Sequence, residues 1–434
     1  MPGRSLTEWL SYIDSIHPKT IELGLERVSV VRDELSRHWD RPFGGVVITV
    51  GGTNGKGSTC AMLESMLLAA GYRVGLYTSP HLLRYTERVR LQGRDAEEAQ
   101  LVQAFERIEA ARIAAGNVSL TYFEYGTLAA WDLFVRAGVE AAIMEVGLGG
   151  RLDAVNMLDA DCAVITSIDL DHMDYLGDTR EAIGREKAGI FRNGRPAVVA
   201  DPMPPASLAE EAGEVGAELL LIGRDFGYQA DRQQWGFWVK TAEGELRKRP
   251  GLAYPALRGA NQLLNASAAL AALDCLRERI PVGMNEVRLG LATVSLPARF
   301  QVLPGRPAVV LDVAHNPHAA AVLSENLSNM GFFAETHAVF SMLSDKDIEG
   351  VCRRMKGRID VWHVAPLPGP RGSSVEALET AIAKSGAGGV VKRHVSPREA
   401  YAAARAAVSE NDRIVVFGSF LTVSDVAQNQ RNFI

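Results

Sequence analysis

The chain has 434 residues, room for about two or three domains and enough to build a core without disulfide or metal staples. With 46 Lys and Arg against 52 Asp and Glu its net charge is −6, which argues against a general nucleic-acid or membrane-surface binder. A hydrophobic fraction of 47% and a charged fraction of 23% argue against disorder.

The first 44 residues read as helices and loops, with LTEWLSYI at helical spacing and a second helix over 25–38. Residues 45–50, GVVITV, form a short apolar, β-branched run, the mark of a buried parallel strand. A glycine-rich turn follows, then TCAMLESMLLAAG, with Met62, Leu63, Met66 and Leu67 on one helical face and Gly71 as its stop. Residues 73–77 supply the next strand and close a βαβ unit. Helices over 99–114 and 124–137, strands over 141–146 and 162–167, a helix over 180–187 and a strand over 197–200 continue the alternation. Residues 227–252 alternate polar and apolar side chains between turn signals and predict a small antiparallel excursion. Helices over 262–278 and 285–294 come next, and LPARFQVLPGRP, 296–307, reads as the entry to a second domain. Beyond it, strands at 309–313, 336–340, 359–363, 390–393 and 413–417 alternate with helices at 317–329, 346–355, 374–385 and 397–409. The fold class is α/β. A P-loop NTPase-like, mostly parallel sheet domain is expected over 1–295, and a smaller Rossmann-like domain over 296–434.

No apolar run reaches the roughly 18–20 residues of a membrane span. MPGRSLTEWLSYIDSIHPKT lacks the apolar stretch of a signal peptide. Cys60, Cys162, Cys275 and Cys352 are scattered and form no C-x-x-C, so they read as buried thiols of a reducing compartment. The expectation is a cytoplasmic protein with no membrane or nucleic-acid partner.

The phosphate-binding signal is the run Gly51-Gly52-Thr53-Asn54-Gly55-Lys56-Gly57-Ser58, set between the apolar strand and the amphipathic helix. Its glycines let backbone N–H groups turn inward around phosphate oxygens, and the helix, expected to start near Ser58, adds its N-terminal dipole. Lys56 can bridge the β- and γ-phosphates. A glycine-rich turn with a solvated lysine is the plain alternative. Gly57 stands where a P-loop normally carries the Ser or Thr that holds Mg²⁺, so another hydroxyl must serve. Ser79, after the strand RVGLY, can supply it. Glu145 lies near the end of the run AAIMEV, and Asp169, Asp171 and His172 close the segment AVITSIDLDH. Each alone is more often a strand-end charge or a structural histidine, but three such positions around one P-loop, after strands at the end where open α/β sheets bind ligands, reverse that reading.

GTNGKGS, YTSPHLLRYTERVR, LTYFEYGTL, MEVGLGGRLDAVN, SIDLDHMDYLG, REKAGIFR, LPARFQV and LDVAHNPHAA occur in this order. Together they resemble the folylpolyglutamate synthase family, within the wider Mur-ligase superfamily. The resemblance runs from KTIELGLERV at Lys19 to VVFGSFLTVSDV. It implies ATP-dependent amide ligation, in which ATP phosphorylates a carboxylate and the amine of L-glutamate attacks the acyl phosphate. The acceptors it implies are 7,8-dihydropteroate and reduced folates. A bare carboxylate would have to expel oxide, and phosphorylation supplies a better leaving group. The labile acyl phosphate calls for a site that excludes water, which two closing domains can provide.

Position by position, the resemblance implies that Thr53, Asn54, Gly55, Lys56 and Gly57 bind the ATP phosphates and that Asn265, Arg299 and Asp312 contact the nucleotide. Ser79, Glu145 and His172 would hold Mg²⁺, with two ions expected. Dihydropteroate would lie near Thr20, Ile21, Glu22 and Leu23, near Thr121, Tyr122, Phe123 and Glu124, and near Leu152, Asp153 and Ala154, with Phe123 as a stacking platform. His315 and Ser419 would stand beside the incoming glutamate, and Lys56, Lys187 and His315 are the catalytic candidates. Relatives often carry His-Gln before the nucleotide asparagine, where this chain has Asn261-Gln262.

An ammonium at Lys187 beside Mg²⁺ would repel the ion, whereas a carbamate on the same amine reverses the sign and offers two oxygens. The resemblance implies that modification; an ion pair with Glu181 or Glu186 on the same helix is the alternative. Tyr125 and Trp131 are expected in the core. A cell-wall peptide ligase of the superfamily would need a sizeable UDP-binding domain before the P-loop, and only 50 residues precede Gly51. KTIELGLERV and LTYFEYGTL favour the bifunctional type over one restricted to folates. A nucleotide switch has no need of a second domain bearing Asp312 and His315. A monomer is expected.

Overall fold

The computed structural model describes residues 3–19, 21–241 and 243–428. The chain divides into two units, the first made of Met1–His81, Tyr85–Ala256 and Leu263–Val294, the second of Leu82–Arg84, Leu257–Gln262 and Ser295–Ile434.

In the first unit the strands are β1 (Val46–Gly51), β2 (Val74–Tyr77), β3 (Val89–Leu91), β4 (Arg94–Asp95), β5 (Ala141–Glu145), β6 (Cys162–Ile165), β7 (Pro196–Val199) and β8 (Glu218–Leu221). They lie in the order β4-β3-β2-β5-β1-β6-β7-β8. The run from β2 to β8 is parallel, and β3 and β4 join antiparallel at one edge. Strands β1, β2, β5 and β6 are buried along their whole length, which explains why they carry largely apolar runs, Glu145 at the end of β5 apart, instead of an alternation. Helices Leu6–Ser15, Glu26–Ser36, Glu98–Ala114 and Tyr122–Ala137 pack over one face around Trp9, Phe105, Tyr125 and Phe134. Val146, Ile165, Ile183 and Ile190 centre a second core further along the same face, beside β6 and β7. Strands β9 (Phe226–Ala230), β10 (Trp235–Lys240) and β11 (Leu246–Leu252) form the expected antiparallel excursion, Trp235, Phe237 and Val239 turned inward.

The second unit holds β12 (Gln301–Leu303), β13 (Ala308–Leu311), β14 (Thr336–Phe340), β15 (Val361–Val364), β16 (Val390–Arg393) and β17 (Arg413–Phe417), in the order β12-β13-β17-β14-β15-β16. All pairs are parallel except β12 with β13. Helices follow β13, β14, β15, β16 and β17.

Several details depart from the pattern of the sequence. Strands β3, β4 and β8 and the helix Ala206–Val215 have no counterpart among the expected elements, and β12 lies inside the segment expected as a linker. Strands β3, β4 and β8 have two to four residues and partly exposed side chains, too short for a period to register. The phosphate-loop helix begins at Lys56, two positions before Ser58.

Candidate active site

Four adjacent parallel strands, in the order β2-β5-β1-β6, end at one edge of the first sheet. Each leads into a predicted site segment: Ser79 after β2, Glu145 closing β5, the glycine-rich loop after β1 and the 166–172 segment after β6. Strand order alone brings these four together.

The loop after β1 is fastened to the segment after β6. Thr53 N donates to Ser167 O at 2.7 Å, and the Thr53 hydroxyl exchanges hydrogen bonds with the Asp169 backbone at 3.1 and 3.0 Å. Asn54 O accepts from the Thr166 and Ser167 hydroxyls at 2.7 and 3.0 Å, and Asn54 N donates to Ser167 Oγ. Gly55 has φ 93°, and a Cβ there would fall 2.4 Å from Asn265 Oδ1. Glycine is therefore required twice over, by backbone conformation and by the buried Asn265 amide against it. Gly57 lies in the first turn of the helix Lys56–Ala69, whose N-terminus opens onto the loop.

Two lysines share one acceptor. Lys56 Nζ donates to Gly52 O at 3.0 Å and to Thr53 O at 3.2 Å, and Lys187 Nζ donates to Gly52 O at 3.1 Å. Burial pushes the Lys187 amine from 10.5 down to about 7, with the Lys56 charge adding to the fall and Asp171 and Asp153 opposing it. The alternative pairing of Lys187 is overturned. Glu181 accepts from Ser207 N and Glu186 pairs with Arg151, so neither holds the amine. The cause is direction: Lys187 points into the protein while its acidic neighbours point out.

Glu145 is 4% exposed, and its Oε2 accepts from the Thr78 hydroxyl and from Ser79 N at 3.2 Å. Ser79 and Glu145 thus meet directly. His172, in the left-handed region at φ 52°, precedes the helix Met173–Leu176, its N–H on Asp171 Oδ1. Among the described residues no three His, Cys, Asp or Glu side chains gather as a metal cage. One buried carboxylate with a neighbouring hydroxyl is a donor set suited to Mg²⁺, which is held by one or two carboxylates together with substrate phosphates.

The three segments expected around dihydropteroate converge. Gly24 N donates to Leu152 O at 3.1 Å, tying the first to the third. Arg27 donates to Glu22 O at 2.9 Å and pairs with Glu124 Oε1 at 3.1 Å, tying the first to the second. Thr121 and Glu124 form a reciprocal cap of the helix Tyr122–Ala137. Phe123 packs its ring against Tyr77 at 5.8 Å, and a Cβ on Gly147 would come within 2.6 Å of that ring. Tyr122 lies edge-on to Tyr85. Ile21, Glu22 and Leu23 are part-buried and Ala154 buried, while Thr20 lies outside the described residues. Asp153 is 2% exposed; burial raises its carboxyl to about 6, opposed by hydrogen bonds from Leu148, Val155 and Gly147 N–H and by Lys187. It holds the glycine-rich turn after β5 in shape. Tyr125 and Trp131 are buried, as expected.

Sequence reasoning missed Arg27, which joins two of these segments, and His17, whose ring contacts Ser119 Oγ at 2.8 Å and Glu22 Oε2 at 2.7 Å. It missed Thr78 and Ser167 as well. Arg27 carries no motif, while Thr78 stands beside Ser79, a residue the pattern does single out.

In the second unit Asp312 and His315 follow β13 and Ser419 follows the adjacent β17. The Asp312 carboxylate accepts from Phe300 N at 2.8 Å and Ala314 N at 2.7 Å, and burial raises it above the usual range. Arg299 lies between Ala298 at φ 60° and Phe300 at φ 47°, two non-glycine residues in the left-handed region. Such backbone costs about 1 kcal/mol per residue, and Asp312 is what holds it at Phe300. The Arg299 guanidinium sits 5.0 Å over the Phe420 ring. His315 Nδ1 contacts Val313 O at 2.9 Å, which orients the ring. Ser419 is buried, and its hydroxyl caps the helix Phe420–Ala427.

Residues 50–273 match the family model of the Mur ligase middle domain, and residues 298–420 that of the Mur ligase glutamate ligase domain. The chain is 47% identical to a dihydrofolate synthase/folylpolyglutamate synthase of Escherichia coli, across 98% of this chain and 95% of that one. It is similar to the solved structure of E. coli FolC in complex with DHPP and ADP, with TM-score 0.90, 46% identity and coverage of 98% and 97% of the two chains. It is likewise similar to the bifunctional folylpolyglutamate synthase/dihydrofolate synthase of Yersinia pestis complexed with AMPPNP and Mn ion, with TM-score 0.88, 45% identity and 98% of each chain covered.

Proposed function

The chain belongs to the Mur ligase family and, within it, to the dihydrofolate synthase/folylpolyglutamate synthases, and from that premise we propose a division of labour among the residues of its site. The reaction is ATP-dependent ligation of L-glutamate to 7,8-dihydropteroate and to reduced folates through an acyl phosphate, with release of ADP and phosphate. The observation that carries the assignment is the convergence after β2, β5, β1 and β6 of a hydroxyl, a buried carboxylate, a glycine-rich loop and two lysines.

The loop N–H groups from Thr53 to Gly57 and the Lys56 ammonium hold the ATP phosphates and offset the charge that develops as the γ-phosphoryl moves. Asn265, Arg299 and Asp312 position the nucleotide. Ser79, Glu145 and His172 would hold Mg²⁺, which supplies charge neutralisation at the phosphates. Lys187 has an amine that burial keeps near neutrality, the state needed to take up CO₂ as a carbamate. The acceptor lies among residues 20–23, 121–124 and 152–154, Phe123 against its pterin. His315 and Ser419 serve the incoming glutamate. The same reading takes the enzyme as a cytoplasmic monomer; among the described residues no helix is long and apolar enough to cross a membrane. Phosphate release is the direct test. It should require L-glutamate together with either dihydropteroate or tetrahydrofolate; release with tetrahydrofolate alone would restrict the enzyme to folate extension.

A further inference from the structure

In the second unit three histidines from neighbouring strands stand in a row. His337 lies on β14, His363 on β15, and His394 directly follows β16, the edge strand. His337 Nδ1 is 3.1 Å from His363 Nε2, and His363 Nδ1 is 3.0 Å from His394 Nε2. The rings are near parallel, 25° and 22° between planes, with centroids 5.3 and 5.1 Å apart. At the inner end His337 Nε2 is 3.0 Å from Glu335 Oε2. His337 is 2% exposed, His363 is 0% exposed and His394 part-buried. The residues lie two apart along the strand register, so each ring meets its neighbour diagonally on one face of the sheet.

This arrangement has a direction. An ionised carboxylate only accepts, so Glu335 requires a proton on His337 Nε2. Neutral His337 then has a bare Nδ1 and accepts from His363 Nε2–H. His363 in turn accepts at Nδ1 from His394 Nε2–H. All three neutral rings are therefore Nε2–H tautomers, and the one acceptor of the row left over is His394 Nδ1. The nitrogens point at one another and not at a common centre, which sets the row apart from a metal site.

We propose that His337, His363 and His394 form a one-proton relay, which takes up a proton at His394 Nδ1 and holds the resulting charge at His337 against Glu335. The balance is complete within the row. His394 gains a proton at Nδ1 and passes its Nε2 proton to His363 Nδ1; His363 passes its Nε2 proton to His337 Nδ1. Every hydrogen bond between the rings survives with its direction reversed, and the one imidazolium is His337. A second proton finds no such arrangement, because two N–H groups would face each other and part the edge strand's exit from β15.

The surrounding charges agree. Asp412, before β17, accepts from Glu335 N at 3.0 Å, so the inner end is anionic, while Arg413 of β17 bonds Thr336 Oγ1 and Asp360 accepts from Thr336 N. Burial pushes the middle ring, His363, down to about 4, with His337, His394 and Lys392 of β16 adding to the fall. At the outer end burial lowers His394, Glu399 from the helix Pro397–Ala407 opposing and Lys392 assisting. The middle and outer rings resist charge, and Glu335 stands beside the remaining ring.

Histidine-selective ¹⁵N labelling of the full chain tests the relay through long-range nitrogen–proton correlation spectra. Above neutral pH three Nε2–H tautomers are expected, and on acidification all three rings should shift with one common midpoint. An Nδ1–H tautomer of His337 at high pH, or three separate midpoints, would overturn the relay. Glu335→Gln removes the inner anchor at an exposed position and should lower the common midpoint by about one pH unit. His394→Gln removes the entry point and should abolish the tautomer change at His363. Unchanged titration of His337 and His363 in both variants would refute the proposal.

Discussion

Lys56 and Lys187 aim their ammonium groups at the same carbonyl, that of Gly52, from segments far apart in the chain. Two cations this close repel, and because Lys187 is the more deeply buried, the repulsion falls on its proton. On the proposed roles, Lys56 serves the phosphates and Lys187 is left as the amine whose proton burial loosens. Lys56→Ala should lower turnover by about 10²–10³ while circular dichroism and thermal unfolding stay near those of the parent. Retention of more than about a third of the parent rate would remove Lys56 from the phosphate site. Lys187→Ala should also be impaired, but a short carboxylic acid should restore part of its activity by returning an anion to the site. Full activity without any added acid would exclude the carbamate.

The helix Lys56–Ala69 connects this chemistry to the sheet edge. Glu64 on it is 3% exposed and reaches Arg90 of β3 at 3.3 Å. Burial nonetheless raises the Glu64 carboxyl from 4.5 to about 7, Arg90 opposing and Asp95 adding to the rise. The folded state therefore binds this proton more tightly than the unfolded one. The associated stability is fully present below 4.5 and is lost as the pH rises through 7. Glu64→Gln should flatten the decline in unfolding temperature between about pH 5 and 8, and thermal melts at several pH values will show it. An unchanged pH dependence would mean that the ion pair with Arg90 offsets burial completely. The helix itself was legible because a buried strand, a glycine turn and an amphipathic run stand in succession. Strands β3, β4 and β12 were not, since two or three residues cannot display a period and their pairing depends on neighbours distant in sequence.

Across the whole molecule, the motifs named the site but not its wiring. Ser79, Glu145 and the glycine-rich loop could be placed from the rule that ligands bind beyond the carboxyl ends of parallel strands. That Arg27 would tie Glu22 to Glu124, or that Asn265 would press on Gly55, depends on packing between segments far apart in sequence, which no local pattern encodes. The same packing bears on how one site serves two acceptors. Both ligations share one phosphorylation step and one amine, so a single ATP and glutamate site suffices. The acceptor carboxylates differ in place, because one added glutamate carries the carboxylate several ångströms further from the pterin. A ring held in one position could not present both carboxylates to the same γ-phosphate, so we predict two partly distinct acceptor poses. Phe123 is seated on Gly147 and Tyr77, and we assign it, with Asp153 and the 20–23 segment, to the dihydropteroate pose as a proposal. Phe123→Ala should therefore lower ligation to dihydropteroate more than extension of tetrahydrofolate, since losing one stacked, buried aromatic removes on the order of 1–3 kcal/mol. Parallel rates of the purified variant on the two acceptors decide the matter: a selective loss supports two poses, and equal losses on both would mean that one pose serves every acceptor.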